Sequence, residues 1–232
     1  MKIKQFLYGR DNLGYLLHTD AHAMAIDGGA VDEIRAFVKQ NDLRLSFATN
    51  THGHGDHTVG TDHLVEQTAA SYLDHRQFTD GQRIQLGGEK ITVRLAPGHT
   101  MDSVIFAAGD ILVTGDTLFN GTIGNCFSGN VKAFYQSICM IMEYAESTRI
   151  YAGHDYVEES IAFARQLPSD PSAIDAYEAH YDPSHVVSTL KMELAVNPYL
   201  RFNKPETIAW LTSKGLPTET EYQRWESIMS IE

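Results

Sequence analysis

A short histidine-rich segment constrains this chain more than any other feature of its sequence. The segment reads THGHGDHTVG (residues 51–60) and directly follows LRLSFATN, an apolar pattern that predicts a strand. Imidazole nitrogen and carboxylate oxygen are the ligands that suit zinc, iron and manganese. We expect the two glycines between them to let the chain turn tightly enough to aim several side chains at one point. The candidate metal ligands in this segment are His52, His54, Asp56 and His57.

Three later strand patterns also end in a candidate ligand. His99 follows LAPG, Asp116 ends ILVTGD, and His154 follows RIYAG. Taken alone, each is weak: His99 is compatible with a turn cap and Asp116 with a helix cap before TLFNG. Their shared context of strand, glycine and ligand favours a single site, because loops at strand ends gather side chains on one rim of a fold.

The order of strand and helix patterns predicts the fold class. Strands are expected at IKQFLYG, LGYLLHT, AMAID, LRLSFATN, KITVRLAP, SVIFAAG, DILVTGD and RIYAGH, with amphipathic helices at VDEIRAFVKQND and VKAFYQSICMIMEYAES. The alternation repeats in a second half with similar order. This pattern predicts an α+β fold, namely an αββα sandwich in which two sheets pack face to face and helices lie outside.

The pattern of predicted secondary structure changes at about Glu158. Strand patterns give way to helical ones, which prolines separate. These helical patterns are EESIAFARQL, PSAIDAYEAHY, SHVVSTLKMEL, KPETIAWLTSKG and TEYQRWESIMS. We therefore predict a first domain over residues 1–157 and a small all-helical domain over residues 158–232.

Charge and composition exclude several partners. The chain has 232 residues and a formal net charge of -12, so phosphate backbones and anionic membrane surfaces would repel it. We therefore expect neither nucleic acid nor a membrane as a partner. Cys126 and Cys139 are best explained as reduced thiols. No apolar run has the length of a signal peptide core or a bilayer span, which makes a cytoplasmic location the expectation. The sequence does not predict the oligomeric state.

Several motifs, in this order, carry a resemblance to a known family. The THxHxDHxxG loop, PGHT, GDTLF and GHDY resemble the metallo-β-lactamase superfamily. GDTLF, GHDYVEESIAFARQL and VSTLKMELAVNPYLRF resemble its glyoxalase II (hydroxyacylglutathione hydrolase) branch in particular. The resemblance covers nearly the whole chain. It implies two divalent metal ions, zinc in first place with iron or manganese as alternatives, the first held by His52, His54 and His99, the second by Asp56, His57 and His154, with Asp116 bridging.

The resemblance also implies a reaction. It predicts hydrolysis of a 2-hydroxyacyl thioester, such as lactoylglutathione, to a hydroxy acid and a free thiol by a hydroxide that the two metals share. In this scheme Asp56 orients the hydroxide and Asp116 sets the distance between the metals, so both are catalytic. Tyr156 matches a tyrosine that contacts the thiol-bearing part of the substrate. The resemblance further implies that residues 1–157 form the catalytic domain and that residues 158–232 bind substrate, with the small thioester as the expected partner.

The chain departs from the family at the positions that grip glutathione. Asn125 and Phe127 stand where the family carries a lysine and a tyrosine. Arg224 matches a family arginine, but Ser227 replaces the lysine expected three residues later. Asn125, Phe127 and Arg224 are therefore candidate substrate contacts with a weakened hold on the carrier carboxylates. The missing cations have three candidate replacements, Lys132, Arg201 and Lys204, although each is more simply explained as a solvated surface charge.

Other functions remain open on the same scaffold. A persulfide dioxygenase would use one iron held by two histidines and an aspartate, and hydrolysis of a lactone or phosphodiester is a second alternative found elsewhere in the superfamily. The NPYLR segment favours the thioesterase, and the acidic charge disfavours nucleic acid. A non-catalytic binding module is disfavoured because an idle site needs no complete ligand set.

Overall fold

Two β-sheets pack face to face in the computed structural model, which describes residues 1–231. The first sheet has five strands in the order β1-β2-β3-β4-β5. The three N-terminal strands are antiparallel neighbours, and the last two continue the sheet in parallel. The strands are Lys2–Tyr8 (β1), Asn12–His18 (β2), His22–Ile26 (β3), Arg44–Thr49 (β4) and Ser71–Tyr72 (β5).

The second sheet has six strands in the order β11-β10-β9-β8-β7-β6. Its neighbours are antiparallel except for β9 and β10, which run in parallel. Parallel neighbours place their carboxyl ends at the same edge, which matters for the site described below. The strands are Arg83–Leu86 (β6), Glu89–Leu95 (β7), Val104–Ala108 (β8), Ile111–Gly115 (β9), Arg149–Ala152 (β10) and Ser188–Thr189 (β11).

Helices cover the outer faces of both sheets. The N-terminal helices are Val31–Gln40 (α1), Gly55–Thr58 (α2) and Thr61–Gln67 (α3), followed by Val131–Met142 (α4). The C-terminal helices are Val157–Ala164 (α5), Pro171–His180 (α6), Leu190–Val196 (α7), Pro205–Ser213 (α8) and Glu221–Met229 (α9). Proline stands in the first turn of α6 and α8, where its missing N–H would lack a partner in any case. Short 3-10 turns occur at His75–Gln77 and Pro198–Leu200.

The buried apolar side chains form three clusters that define the layers. Between the sheets, Tyr15 and Met24 of the first sheet meet Phe106 and Val113 of the second. Outside the first sheet lie the apolar residues of α1 and α3, and outside the second lie those of α4, α8 and α9. Burial of these faces from water stabilises the layers. The helix–sheet–sheet–helix order confirms the predicted αββα sandwich.

The prediction of a helix over SHVVSTLKMEL is wrong for its first half. Ser188–Thr189 is a strand that pairs with β10 in antiparallel register, and helix α7 begins only at Leu190. Val186, two residues before this strand, is also fixed by long-range contacts, since its N–H and C=O both bond the side-chain amide of Gln5. The open edge of the second sheet therefore decides this segment rather than its local periodicity.

The C-terminal region packs directly onto the second sheet. Trp225 of α9 and Leu211 of α8 share one buried cluster with Ile105 of β8 and Phe134 of α4. The division into domains at residues 157 and 158 stays a prediction. Cys126 and Cys139 are both free, as predicted. Within residues 1–231, none of the helices has the length and apolar character needed to cross a membrane.

Candidate metal centre

The candidate ligands meet where strands of both sheets end. The histidine-rich segment follows β4, and Asp56 and His57 lie in the four-residue helix α2. Asp116 comes directly after β9, and His154 lies just beyond β10. His99 lies in the turn that joins β7 to β8. The packing of the two sheets brings these strand ends together at one rim of the sandwich.

Three imidazoles and a carboxylate form a first group. His54 Nδ1 lies 2.9 Å from His52 Nε2 and 3.1 Å from His99 Nε2. Asp116 Oδ2 lies 3.4 Å from His99 Nε2 and 3.9 Å from His52 Nε2. All four side chains therefore direct a ligand atom toward one common point.

A second group lies directly beside the first. His57 Nε2 and His154 Nε2 are 3.1 Å apart. Asp56 Oδ2 is 3.6 Å from the former and 3.3 Å from the latter. Asp116 belongs to this group as well, since its Oδ1 is 3.3 Å from His57 Nε2 and its Oδ2 is 3.5 Å from His154 Nε2. Its carboxylate thus stands between the two groups.

Hydrogen bonds outside the groups fix which ring nitrogen is free. His57 Nδ1 donates to Asp27 Oδ2 at 3.0 Å, and His154 Nδ1 donates to Asp11 Oδ1 at 2.9 Å. His99 Nδ1 donates to the carbonyl oxygen of Asn125 at 2.9 Å. Because these oxygens only accept, each Nδ1 carries a proton, and in the neutral ring each Nε2 then presents a lone pair to the site.

His52 is oriented through an intermediate hydroxyl. The Thr51 hydroxyl donates its proton to Asp27 Oδ2 at 2.6 Å, so its oxygen accepts from His52 Nδ1 at 3.1 Å. Nε2 of His52 is therefore also free. Lone pairs of neighbouring rings that face one another at about 3 Å repel unless a cation lies among them.

The spacing and the donor types fit divalent metal ions. Ligand atoms about 2.0–2.2 Å from a tetrahedral ion lie about 3.3–3.6 Å from one another, close to the separations of 2.9–3.9 Å found here. Asp116 Oδ1 is buried and has no hydrogen-bond donor among the described residues, as expected of an oxygen reserved for a metal. A set of nitrogen and oxygen donors suits zinc, iron and manganese alike.

The surroundings set the protonation of these ligands. Burial lowers the pKa of His52 from 6.5 to about 3, so its ring is neutral at pH 7. Burial alone would raise the pKa of Asp116, but the surrounding imidazoles, His57 foremost, outweigh it and hold that pKa well below its usual range. Burial opposes protonation of His57, yet in the metal-free protein Asp27 and Asp116 outweigh it and raise its pKa, so a metal ion there has to displace a proton from Nε2. Because the His52 ring is neutral, the first group can bind a metal ion without losing a proton from that residue.

The expected role of glycine in the histidine-rich segment is wrong in detail. Neither Gly53 nor Gly55 adopts a left-handed backbone conformation. Gly53 is required for space instead, because a Cβ there would lie 2.8 Å from Asp102 Oδ2. A stronger constraint lies at Gly153, next to His154, where a Cβ would clash with Asp116 Oδ1. Glycine's conformational freedom is used beside two other ligands instead, since Gly115 before Asp116 has a φ of 51° and Gly98 before His99 has a φ of 154°.

A cavity of about 220 Å³ opens beside the second group. Tyr156 forms part of its wall and stacks on the ring of His154, with centroids 5.0 Å apart and planes inclined by 4°. Phe119 meets the Tyr156 ring edge-on at 5.1 Å. Burial raises the pKa of Tyr156 to about 12, so it is a neutral phenol at pH 7. The lining residues are Phe119, Thr122, Ile123, Asn125, Tyr156, Glu159, Ser160 and Phe163.

Comparison with known proteins identifies the family. No protein-family model matches the chain. A hydroxyacylglutathione hydrolase of Methylobacillus flagellatus is 32% identical over 227 residues, which cover 90% of this chain and 90% of that protein. The chain belongs to the hydroxyacylglutathione hydrolase family. The resemblance noted in the sequence is thereby confirmed.

Solved structures agree on the fold of this family member. ETHE1 from Myxococcus xanthus matches with a TM-score of 0.73 and 23% identity, covering 99% of this chain and 90% of that one. The B3 metallo-β-lactamase BLEG-1 matches with a TM-score of 0.67 and 20% identity, covering 86% of this chain and 99% of that one. At these identities the likeness establishes the metallo-β-lactamase fold and not the reaction.

Of the four predicted substrate contacts in this hydroxyacylglutathione hydrolase homologue, two line the cavity and two lie outside its lining. Asn125 and Tyr156 line the cavity. Phe127 is 67% exposed and sets its ring edge against His54 and His99, so it covers the mouth of the first group. Arg224 is not a lining residue, and its guanidinium donates to Asn203 Oδ1 and to the carbonyl oxygen of Thr218. Its contact with substrate stays a prediction.

One of the three cations considered as replacements is not a surface charge. Arg201 is only 5% exposed. Its guanidinium donates to the carbonyl oxygen of Pro168 at 2.9 Å and pairs with Glu206 Oε1 at 2.8 Å. The prediction of a solvated charge is wrong at this position, because the guanidinium ties the loop after α5 to α8.

Sequence reasoning missed the residues that support the ligands. Asp27 bonds both the His57 ring and the Thr51 hydroxyl, and Asp11 bonds the His154 ring. Asn12 donates from Nδ2 to Asp56 Oδ2 at 2.9 Å. One signal was available: Asp27 ends the apolar pattern AMAID, the same context of strand and carboxylate that singled out Asp116. Asp11 and Asn12 lie in an ordinary polar turn pattern, GRDN, that offers no such signal.

Proposed function

We propose that this chain hydrolyses a 2-hydroxyacyl thioester of the lactoylglutathione kind and releases a 2-hydroxy acid and a free thiol. The observation that carries the proposal is the Asp116 carboxylate, which stands between two adjacent ligand groups beside a cavity of about 220 Å³. Membership in the hydroxyacylglutathione hydrolase family supports the same reaction. No serine or cysteine nucleophile is needed.

The two groups are assigned to two divalent ions, zinc in first place with iron or manganese as alternatives. His52, His54 and His99 would hold one ion, Asp56, His57 and His154 the other, and Asp116 both. When bound, such a pair lowers the pKa of a water molecule toward neutrality and polarises the thioester carbonyl. The protein's part is to keep the ring nitrogens aimed, which the carboxylates of Asp27 and Asp11 accomplish for His57 and His154.

Asp56 is the residue best placed to orient the attacking water. Its side chain is 49% exposed, so it reaches the solvent side of the ligand groups. Burial would raise its pKa, but the hydrogen bond from Asn12 and the neighbouring His57 outweigh that effect and lower it. Asp56 therefore remains a carboxylate, which accepts a hydrogen bond from the water and orients it while the water's proton passes to solvent. As the water oxygen bonds to the carbonyl carbon, the C–S bond breaks and the sulfur leaves as a thiolate.

The cavity is assigned to the thiol carrier. Tyr156 and Phe119 form an aromatic wall against His154 that keeps water away from that side of the site. Glu159, Ser160 and Phe163 of α5 complete the cavity. Three of the lining residues thus come from the region after residue 157, which supports the proposed role of residues 158–232 in substrate binding.

A paired assay tests the proposal. Purified protein loaded with zinc, iron or manganese is given lactoylglutathione, and thiol release, metal content and oxygen uptake are followed together. We expect thiol release with two metals per chain and no oxygen consumption. Oxygen uptake on a persulfide with one iron per chain would favour the persulfide dioxygenase instead, and turnover of lactones alone would favour a lactone hydrolase. A cytoplasmic location stays a prediction, which fractionation of cells would test.

A further inference from the structure

A buried carboxylate outside the metal groups has no role in the reaction described above. Glu193 of α7 is 0% exposed. Its Oε1 accepts hydrogen bonds from the Tyr177 hydroxyl at 2.6 Å and from the Ser188 hydroxyl at 2.5 Å. Its Oε2 accepts from the backbone N–H of Gly121 at 2.9 Å and from Asn197 Nδ2 at 3.0 Å. Four donors thus converge on a group that, when ionised, only accepts.

One of these donors belongs to the segment that leads away from Asp116. Three successive residues of this segment, residues 120–122, are tied to the C-terminal region. Asn120 Nδ2 donates to Ser188 Oγ at 2.8 Å, and Gly121 donates its N–H to Glu193. The carbonyl oxygen of Thr122 accepts from Asn197 Nδ2 at 2.9 Å. Since Glu193 and Asn197 are four residues apart, they lie on one face of the chain at the end of α7.

The segment held in this way joins the metal groups to the cavity. It begins after Asp116, the carboxylate shared by both groups. It ends at Asn125, whose carbonyl oxygen fixes the ring of His99. Between them Phe119 and Ile123 supply part of the cavity wall. A shift of the backbone near Gly121 would therefore move the wall first and the metal ligands second.

We infer that Glu193 is a positioning residue, whose carboxylate holds residues 117–124 in the one backbone arrangement that forms the cavity wall. Burying a carboxylate is unfavourable unless its partners are complete, and an apolar side chain would fill the same space without that penalty. A fully bonded buried network instead selects one backbone arrangement. The inference rests on the proposed function only for its kinetic readout.

The test compares removal of the acceptor with removal of a single donor. Glu193→Leu keeps much of the side-chain volume but removes the acceptor for Gly121. Tyr177→Phe is the matched control, because it removes a bond to the same carboxylate without touching the segment. Glu193→Gln is the conservative variant, since its amide oxygen still accepts from Gly121 while the Tyr177 and Ser188 hydroxyls turn to accept from its NH₂. Each is measured for Tm, metal content, hydrogen exchange over residues 117–125, and KM and kcat.

For Glu193→Leu we expect exchange over residues 117–125 to rise about tenfold or more. KM should rise about threefold to tenfold with a smaller change in kcat and two metals still bound. Tyr177→Phe should lower Tm but leave exchange and KM near the parent values, and Glu193→Gln should restore both. Equal exchange and KM effects in Tyr177→Phe and Glu193→Leu, or unchanged exchange in Glu193→Leu, would overturn the inference.

Two safeguards keep the result decisive. If Glu193→Leu does not fold, Asn197→Ala releases the Thr122 carbonyl from the same helix and is read in the same way, with unchanged exchange again overturning the inference. Hydrogen exchange does not depend on turnover. A parent protein that fails to hydrolyse thioesters would therefore count against the proposed function while leaving the role of Glu193 to be decided by exchange alone.

Discussion

His57 Nδ1 lies 3.0 Å from Asp27 Oδ2. Through this carboxylate the two ligand groups are connected on the side of the rings opposite their ligand nitrogens. The same oxygen accepts the Thr51 hydroxyl, which in turn accepts from His52 Nδ1. One carboxylate at the end of β3 therefore orients a histidine of each group. Both oxygens are used, because Asp27 Oδ1 accepts the Thr51 N–H at 2.7 Å.

Asp27→Asn should weaken metal binding at both groups. An amide offers one accepting oxygen where three donors converge, so either His57 or Thr51 would face an NH₂ group. Loss of such an outer contact lowers metal affinity by about 10- to 100-fold. Competition with a chromophoric chelator measures the effect. Asp20→Asn, at an exposed carboxylate paired with Lys2, is the control and should change nothing; equal affinities in both variants would contradict the role given to Asp27.

Asp116→Asn should lose most hydrolysis. Its carboxylate oxygens lie within 3.9 Å of histidines in both ligand groups. A neutral amide bridges two cations poorly, which would leave them less well held. Steady-state kinetics are measured alongside metal content. Near-normal kcat with a full metal complement would show that Asp116 is only a structural cap.

Metal stoichiometry should be two per chain. The ligands divide into two groups that each bring their donor atoms within 4.8 Å of one another. Elemental analysis of protein saturated with zinc measures the ratio, and His154→Ala should reduce it to about one. The two-metal assignment fails if the parent saturates at one metal and if His57 and His154 can both be replaced without loss of activity.

The metal-free protein should become less stable as the pH is lowered, because of His52. Its pKa is lowered by burial from 6.5 in the unfolded chain to about 3 in the folded one. Between these two pH values the imidazole of His52 is protonated in the unfolded chain but neutral in the folded chain. The contribution of His52 to stability is therefore complete above pH 6.5 and is lost progressively as the pH falls toward 3.

Chemical unfolding after chelator treatment checks this prediction. His52→Asn should reduce the slope of the unfolding free energy against pH by up to about 1.4 kcal/mol per pH unit in that window. His63→Asn is the control, because His63 lies exposed on α3 and should leave the slope unchanged. Parallel slopes for the parent and His52→Asn would show that His52 titrates normally in the folded chain.

Asn125→Lys should improve the use of lactoylglutathione. Asn125 lines the cavity, whereas its contact with His99 is made by the backbone carbonyl, so the side chain can change without disturbing the ligand. A partly exposed charged contact contributes about 0.5–1.5 kcal/mol, which corresponds to a KM about threefold to tenfold lower. Because the reaction takes place at the metal groups, kcat should stay the same.

The control for Asn125→Lys is a lactoyl thioester whose carrier lacks a carboxylate, such as N-acetylcysteamine. Its KM should not respond to the substitution. If KM for lactoylglutathione is also unchanged, either the alignment of TIGNCFSG with the family is incorrect or the natural carrier is another thiol. Binding of a panel of free thiols to the metal-loaded protein would separate these two explanations.

The sequence by itself determined the fold class and the set of residues that meet at the rim. His52, His54 and His57 are separated by so few residues that any turn after β4 keeps them together. Asp116 and His154 follow apolar strands, and apolar strands pair in a sheet whatever the details of their packing. Signals of this kind are local, so they can be recognised without knowing the partners.

Only the tertiary structure decided which residues support the ligands and where short segments pair. Asp27 reaches His57 across 30 positions, Asp11 reaches His154 across 143, and Glu193 reaches Gly121 across 72. Such hydrogen bonds exist only after segments distant in the sequence have come together in the fold, and no periodicity in the sequence encodes them. Ser188–Thr189 became a strand for the same reason, because the free edge of β10 supplied backbone partners that its own sequence could not reveal.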